Sequence, residues 1–166
     1  MIAATDCHYR RNEAMCGAIL FSNWATAVPG LELRELFPDP APYRPGSFYL
    51  RELPCVLKLL QAVQGRFDTV IVDGYVWLGP DGRPGLGAHL FQALRRTIPV
   101  VGIAKSPFQG SPHAERVYRG NSRRPLFVTA AGMDGHEAAE HVKRMHGPHR
   151  IPTLLKRVDQ LCRAQQ

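Results

Sequence analysis

The 166-residue sequence lacks several features that would place it in a class at once. It has no apolar run near the roughly 20 residues that a helix needs to cross a bilayer. Its first residues show no basic segment followed by an apolar one, so we expect no secretion signal. These absences favour a cytoplasmic protein that makes no contact with a membrane.

The cysteine and glycine patterns lack the spacings that mark common metal and nucleotide sites. None of the four cysteines forms a C-x-x-C pair, which argues against a zinc ribbon and a thioredoxin motif. Because the cysteines are scattered, we expect reduced, mostly buried thiols in a reducing compartment. The glycines between residues 79 and 87 lack the G-x-x-x-x-G-K-[ST] pattern of a phosphate loop.

The composition is that of an ordinary globular domain with an uneven charge. Hydrophobic residues make up 45% and charged residues 21%, and the length suits one domain over residues 1–166. Residues 1–83 carry 8 Lys/Arg and 9 Asp/Glu, whereas residues 84–166 carry 13 and 5. A one-sided positive field attracts polyanions such as nucleic acid. Charge alone fits a merely soluble basic surface equally well.

The apolar pattern predicts an α/β fold with a mixed sheet flanked by helices. An antiparallel meander comes first, then a proline-rich loop, then alternating strands and helices. Apolar runs without polar alternation indicate strands that are buried on both faces. The predicted strands are 1–7, 14–21, 24–33, 69–74, 99–105 and 125–130; the predicted helices are 48–63, 85–96, 134–145 and 152–163, and the loop is 37–46. Pro54 fits only a first turn, so we expect regular helix from near Arg51.

Two acids lie on or after strands that are otherwise apolar. Asp6 is in the first strand and Asp73 ends the Val-Ile-Val run of the fourth. A carboxylate in such a place has a high desolvation cost unless it is paired or binds a cation. Oxygen ligands alone favour Mg²⁺ or Mn²⁺ over zinc. The alternative is that one acid caps a turn and the other lies on the surface.

Several segments, in matching order and spacing, resemble the endonuclease V family. The resemblance covers most of the chain, and the central segments are specific as a set. The segments are Thr5–Tyr9, Pro42–Gly46, Arg51–Pro54, Asp68–Gly74, Gly85–Leu90, Ile98–Ser106, Leu126–Thr129 and Gly147–Pro152.

The resemblance implies a ribonuclease H-like fold and a metal-dependent endonuclease. Such an enzyme cleaves a phosphodiester bond in nucleic acid that contains inosine. By position, Asp6, Glu52 and Asp73 match the family's metal-binding acids, with Mg²⁺ as the ion and Mn²⁺ as a substitute. Lys105 matches its lysine near the scissile phosphate, and Tyr43 matches an aromatic wedge that stacks between bases.

Residues 75–83 depart from the family pattern, since the family's His-Pro-Arg segment keeps only its proline here. Tyr75 and Trp77 stand in this segment and either stack on a base or pack within the protein. The fourth catalytic position is also open. Asp134 either completes a four-acid site or caps a helix, and His136 is the other candidate.

We therefore expect DNA or RNA with single-stranded or distorted regions as the partner. Tyr43, Tyr75, Lys143 and Arg150 are the candidate contacts to it. Two other functions stay open: a ribonuclease H-like nuclease that does not recognise inosine, and a binding module that does not cleave. The sequence does not determine the oligomeric state.

Overall fold

The computed structural model describes residues 1–42 and 47–164, and it has an α/β fold built on one large mixed sheet. The strands are β1 (Ile2–Arg10), β2 (Glu13–Phe21), β3 (Leu31–Pro38), β4 (Thr69–Asp73), β5 (Trp77–Leu78), β6 (Arg83–Pro84), β7 (Val100–Ala104), β8 (Glu115–Val117) and β9 (Leu126–Ala131). The helices are α1 (Tyr49–Gln61), α2 (Leu86–Ala93), α3 (Gly135–Arg144) and α4 (Thr153–Arg163).

Seven strands form the main sheet in the order β3-β2-β1-β4-β7-β9-β8. β1, β4 and β7 run parallel to one another at its centre, and all other pairs are antiparallel. β5 and β6 form a separate two-stranded hairpin. The predicted fold class, a meander followed by parallel strands and helices, is confirmed.

Helices cover both faces of this sheet. One apolar cluster joins the sheet to α3 and α4 around Ile71, Val142 and Val158. A second joins the other face to α1 and α2 around Val56 and Leu90. Because both faces are covered, the central strands read as continuous apolar runs, which is the pattern that predicted them.

The third strand lies later in the chain than predicted, at Leu31–Pro38 instead of 24–33. Asn23 starts a turn in which its side chain accepts a hydrogen bond from the backbone N–H of Ala25 (3.0 Å). The backbone N–H of Gly30 then donates to Leu20 O (2.7 Å), which returns the chain to β2. Side chains of this type favour turns over strands, so the segment before residue 31 is a turn.

Helix α1 begins at Tyr49, so Pro54 lies in its second turn and not in its first as predicted. The short strands β5, β6 and β8 were not predicted, since two or three residues show no periodicity. Within the described part of the chain, no helix is both long and apolar enough to span a bilayer.

Two cysteines differ from the expectation of reduced thiols. Cys7 and Cys16 face each other in the β1–β2 register and form a disulfide, with Cα atoms 4.1 Å apart. Cys55 and Cys162 are free and buried, as expected. The pairing depends on strand register, which the spacing of the cysteines along the sequence does not reveal.

Candidate active site

The parallel strands bring the predicted acids to one edge of the sheet. Thr5 of β1 pairs with Val72 of β4, so the next residues, Asp6 in the middle of β1 and Asp73 at the end of β4, lie side by side. Asp73 in turn pairs with Ile103 of β7, and Lys105 comes directly after that strand. The carboxyl ends of parallel strands are where open α/β sheets gather ligands.

Lys105 and Asp73 form an ion pair at this edge. The Nζ atom of Lys105 lies 2.6 Å from Oδ2 of Asp73, and both side chains are partly exposed. Burial lowers the pKa of Lys105, but the charge of Asp73 and the hydrogen bond to it more than offset this, and the net shift is upward. Lys105 therefore carries its positive charge beside the acids at neutral pH.

Asp6 is a buried acid with little compensation inside the protein. Burial, followed by repulsion from Asp73, raises the pKa of Asp6 to about 7, although Lys105 and the backbone N–H of Cys7 act in the opposite direction. That N–H donates to Oδ1 of Asp6 at 2.8 Å. A cation bound beside Asp6 would favour its charged form, because the cation would offset both the cost of burial and the repulsion from Asp73.

Glu52 approaches the same acids from helix α1. It is 3% exposed, and burial raises its pKa well above the ordinary value, with further contributions from the charges of Asp6 and Asp73. The mutual effects show that the three carboxyl groups, far apart in sequence, lie within electrostatic reach of one another. Leu59 and Leu60, about two turns after Glu52 in α1, hold the helix against the sheet.

A small cavity adjoins two of these acids between the sheet edge and α4. Its volume is about 30 Å³, and Asp6, Asp73 and Lys105 contribute its charged lining. This is enough room for a water-sized species. Glu52 is not part of the lining. Within residues 1–42 and 47–164, no three His, Cys, Asp or Glu side chains are close enough to form a ready-made metal site.

Asp159 of α4 is a fourth acid at this site that the sequence reasoning missed. Its charge raises the pKa of both Asp6 and Lys105, so it lies near both groups. It accepts a hydrogen bond from Nε of Arg163 at 2.9 Å. It also lines a groove next to the cavity, and Lys105 and Leu155 line both the groove and the cavity. Its position four residues after Leu155, inside the apolar stripe of α4, is the signal that could have revealed it.

Asp134 and His136 do not join this group. β9 is antiparallel to β7, and its last residue, Ala131, pairs with Val100 at the start of β7. The chain therefore leaves β9 at the edge of the sheet opposite Lys105. Asp134 is the N-cap of α3, where its Oδ1 accepts from the backbone N–H of Glu137 at 3.0 Å. The capping alternative is the one that the structure supports.

The aromatic residues of the divergent segment are bonded within the protein. Tyr75 is 7% exposed; its hydroxyl donates to Ser106 O (2.9 Å) and accepts from the backbone N–H of Phe108 (3.0 Å). Nε1 of Trp77 donates to Ala130 O at 2.9 Å. This favours the packing alternative for Tyr75. Trp77 is 37% exposed, so part of its ring surface stays open for stacking on a base.

Two glycines explain how this segment passes so close to α2. A Cβ atom at Gly85 would lie 2.5 Å from Tyr75 O, and one at Gly87 would lie 2.6 Å from a methyl group of Val76. The Gly-x-Gly pattern thus serves close packing beside the site and not phosphate binding.

The remaining candidate contacts to nucleic acid lie in different environments. Lys143 is exposed in the last turn of α3, 3.9 Å from Glu140. Arg150 lies partly buried beside Lys105 and lines the same groove. Tyr43, the predicted wedge, falls outside the described residues.

Comparison with known proteins agrees with this architecture. The sequence model of the family described as Endonuclease V matches residues 1–130. The chain belongs to the endonuclease V family. It is 34% identical over 143 residues to an endonuclease V of Streptomyces coelicolor, a match that covers 74% of this chain and 60% of that protein. An endonuclease V of Rhodospirillum centenum is 32% identical over 146 residues, with 75% and 60% covered. The chain therefore spans about 60% of the length of these relatives.

Solved endonuclease V structures share the fold over nearly the whole chain. The enzyme of Streptomyces avermitilis is 25% identical with a TM-score of 0.76, covering 98% of this chain and 79% of that one. Human ENDOV is 22% identical with a TM-score of 0.79, covering 98% and 82%. The ribonuclease H-like fold implied by the sequence is thereby confirmed.

Proposed function

We propose that this endonuclease V family member is a divalent-metal-dependent endonuclease. In this proposal it hydrolyses a phosphodiester bond in nucleic acid near a deaminated base such as inosine. The observation that carries the proposal is the group formed by Asp6, Glu52 and Asp73, of which Asp6 and Glu52 are buried with raised pKa values. Buried carboxyl groups that repel one another are costly to keep in a fold, and a bound cation offsets that cost.

The donor set fits a hard divalent cation. Carboxylate oxygens are the ligands that Mg²⁺ and Mn²⁺ prefer, and we assign Asp6, Glu52 and Asp73 as the residues that would hold the ion. When bound, such an ion lowers the pKa of a water molecule and offsets the charge of the leaving oxygen. The support is the repulsion among the acids and the small cavity beside two of them.

Lys105 supplies positive charge at the same place. Its ammonium lies 2.6 Å from Asp73 and is partly exposed, so it can reach a phosphate bound at this edge. There it would stabilise the negative charge that develops during cleavage. Asp159 faces the same groove and is our candidate for the fourth acid, with the role of orienting water or Lys105.

The substrate class rests on relatives and on charge. A Ciona intestinalis endonuclease V, 19% identical with a TM-score of 0.81, was solved in complex with DNA containing an inosine followed by a ribo-adenosine. The net charge of +7 suits a polyanionic partner of either kind, DNA or RNA. A cytoplasmic location and a single domain over residues 1–166 stay predictions.

A nuclease that does not select inosine is the second candidate. The divergent segment 75–83 favours it, because the polar atoms of Tyr75 and Trp77 are already hydrogen-bonded within the protein. Their partners are backbone groups of Ser106, Phe108 and Ala130. These polar atoms are therefore not free to form hydrogen bonds to a base edge in this structure. This function uses the same acids and Lys105, and differs only in which strand structure is cut.

Matched substrates separate these functions. The purified protein is incubated with single strands of DNA and of RNA that carry either inosine or adenosine at one position, with Mg²⁺, Mn²⁺ or EDTA. Metal-dependent cleavage at least tenfold faster on inosine strands supports the first function. Cleavage that ignores inosine selects the second. Gel-shift binding without cleavage in either metal would refute both and leave a binding module.

A further inference from the structure

Lys105 is held by its backbone as well as by its side chain. Its own carbonyl and that of the next residue both accept hydrogen bonds from side chains of distant segments. We propose that Arg150 and Tyr75 are positioning residues that fix Lys105 against Asp73. The inference rests on the proposed function, since it concerns the lysine assigned to the scissile phosphate.

Arg150 bridges two strands at the site edge. Its Nη2 atom donates to the carbonyl oxygen of Lys105, which lies just after β7. The same atom donates to the carbonyl oxygen of Pro125, just before β9, at 2.8 Å. Its Nε atom is buried without a hydrogen-bond partner in the part of the chain that the structure describes. A buried donor without a partner is unfavourable for stability, so stability alone does not account for arginine at this position.

A second arginine holds the segment that carries Arg150. Arg119 is 6% exposed, and its guanidinium donates to His149 O (3.0 Å), Gly147 O (3.1 Å) and Met145 O. One buried cation thus binds several carbonyls of residues 145–150. Arg150 therefore projects from a fixed backbone and not from a free loop.

Tyr75 holds the next peptide from the other side. Its hydroxyl donates to Ser106 O at 2.9 Å and accepts from the backbone N–H of Phe108 at 3.0 Å. Its backbone is itself fixed beside α2, because a Cβ atom at Gly85 would collide with Tyr75 O. The two carbonyls that follow β7 are therefore held by groups from two unrelated segments.

Such a clamp matters because the ammonium of Lys105 stands at the end of a flexible side chain. With the backbone fixed, that ammonium lies 2.6 Å from Asp73. A misplacement of about 1 Å near reacting groups can cost as much as 100-fold in rate. Lys105 follows the end of β7, where the strand no longer fixes the backbone. Supporting residues are therefore expected around it.

Conservative variants separate positioning from contact with the nucleic acid. R150K keeps the positive charge, but its side chain is shorter and lacks the guanidinium, so we do not expect its ammonium to reach the position from which Nη2 of Arg150 bonds both carbonyls. Y75F keeps the ring and removes only the hydroxyl. R66K is the matched control, because Arg66 is exposed before β4, at the end of that strand opposite Asp73.

Two readouts are combined, and one of them does not need cleavage. The first is the rate at which an amine-reactive acetylating reagent modifies Lys105, measured by mass spectrometry with exposed Lys58, on α1 and outside this groove, as the internal reference. We expect a several-fold faster modification of Lys105 in R150K and in Y75F, and no change in R66K. The second is steady-state cleavage, in which we expect kcat to fall roughly tenfold with KM within twofold.

The outcomes distinguish this inference from the proposed function. If R150K and Y75F leave the reactivity of Lys105 unchanged, the clamp is refuted whatever the activity. A change in KM alone in R150K would instead mark Arg150 as a contact to the strand. If the wild-type protein does not cleave, the proposed function fails, while the modification rates still decide whether the clamp exists. Y75F keeps the test valid should R150K not fold.

Discussion

Asp73 and Asp134 look alike in the sequence and lie in opposite environments. Each comes at or just after the end of a buried apolar strand. Asp73 ends β4, beside Lys105 and within reach of two other acids. Asp134 follows β9 and caps α3 through a hydrogen bond to the backbone N–H of Glu137. One acid belongs to a charged site and the other to an ordinary helix start.

Strand direction accounts for the difference. β4 and β7 are parallel, so their carboxyl ends meet at one edge of the sheet. β9 is antiparallel to β7, so its carboxyl end lies at the other edge. Whether an acid after a strand is a site candidate therefore depends on the direction of that strand, which decides the edge of the sheet that the acid reaches. Four predictions test the contrast between the two edges.

The largest expected effect is on cleavage. We expect D73A to lose at least about 1,000-fold in metal-dependent cleavage, because it removes a proposed ligand and the partner of Lys105. D134A, at the other edge, should cleave within twofold of the wild-type protein. The measurement is single-turnover cleavage of a labelled inosine strand in Mg²⁺ and in Mn²⁺.

A folded D73A protein that retains activity would remove Asp73 from the site. A large loss in D134A, with stability preserved, would overturn the assignment of Asp134 as a cap only. Circular dichroism of both variants checks that each is folded.

The same contrast shows what the sequence could and could not predict. The apolar runs of β4 and β7 and the stripe of α1 were predicted because burial leaves a local, periodic pattern. Strand direction, and with it the position of Asp134, depends on how distant segments pair. The Cys7–Cys16 disulfide was missed for the same reason, since it follows from the β1–β2 register. Asp6, Glu52 and Asp73 were grouped by family resemblance, not by local pattern.

The second prediction concerns stability without metal. The pKa of Asp6 is raised from 3.8 to about 7 in the folded protein. Between these values the unfolded chain has lost the proton that the folded protein keeps, so the free energy of unfolding falls as pH rises from about 4 to 7. The shift corresponds to a penalty on the order of 4 kcal/mol at neutral pH.

D6N should therefore be more stable than the wild-type protein at pH 7 without metal, and the two should converge near pH 4. Urea unfolding in EDTA at several pH values measures this. Glu52, whose pKa is also raised, leaves part of the pH dependence in D6N. A D6N protein less stable than wild type at pH 7 would show that burial and repulsion do not disfavour the charged form of Asp6 in the folded protein.

The third prediction tests Asp159, which the sequence reasoning did not find. Its charge acts on both Asp6 and Lys105. We expect D159N, which keeps the shape and removes the charge, to reduce kcat on the order of 10- to 100-fold. D68N is the matched control, because Asp68 is exposed just before β4, at the end of that strand away from Asp73. Equal activity of D159N and wild type would restrict the site to the three acids.

The smallest expected effect is at the opposite edge. D134A should lower the free energy of unfolding by about 1 kcal/mol, because the backbone N–H of Glu137 loses its acceptor at the start of α3. D134N keeps an acceptor oxygen and should cost only a few tenths of that, which separates capping from charge. Urea unfolding at neutral pH measures both. If D134N is as unstable as D134A, the negative charge matters there and not the hydrogen bond, and the two acids differ less than their strand directions imply.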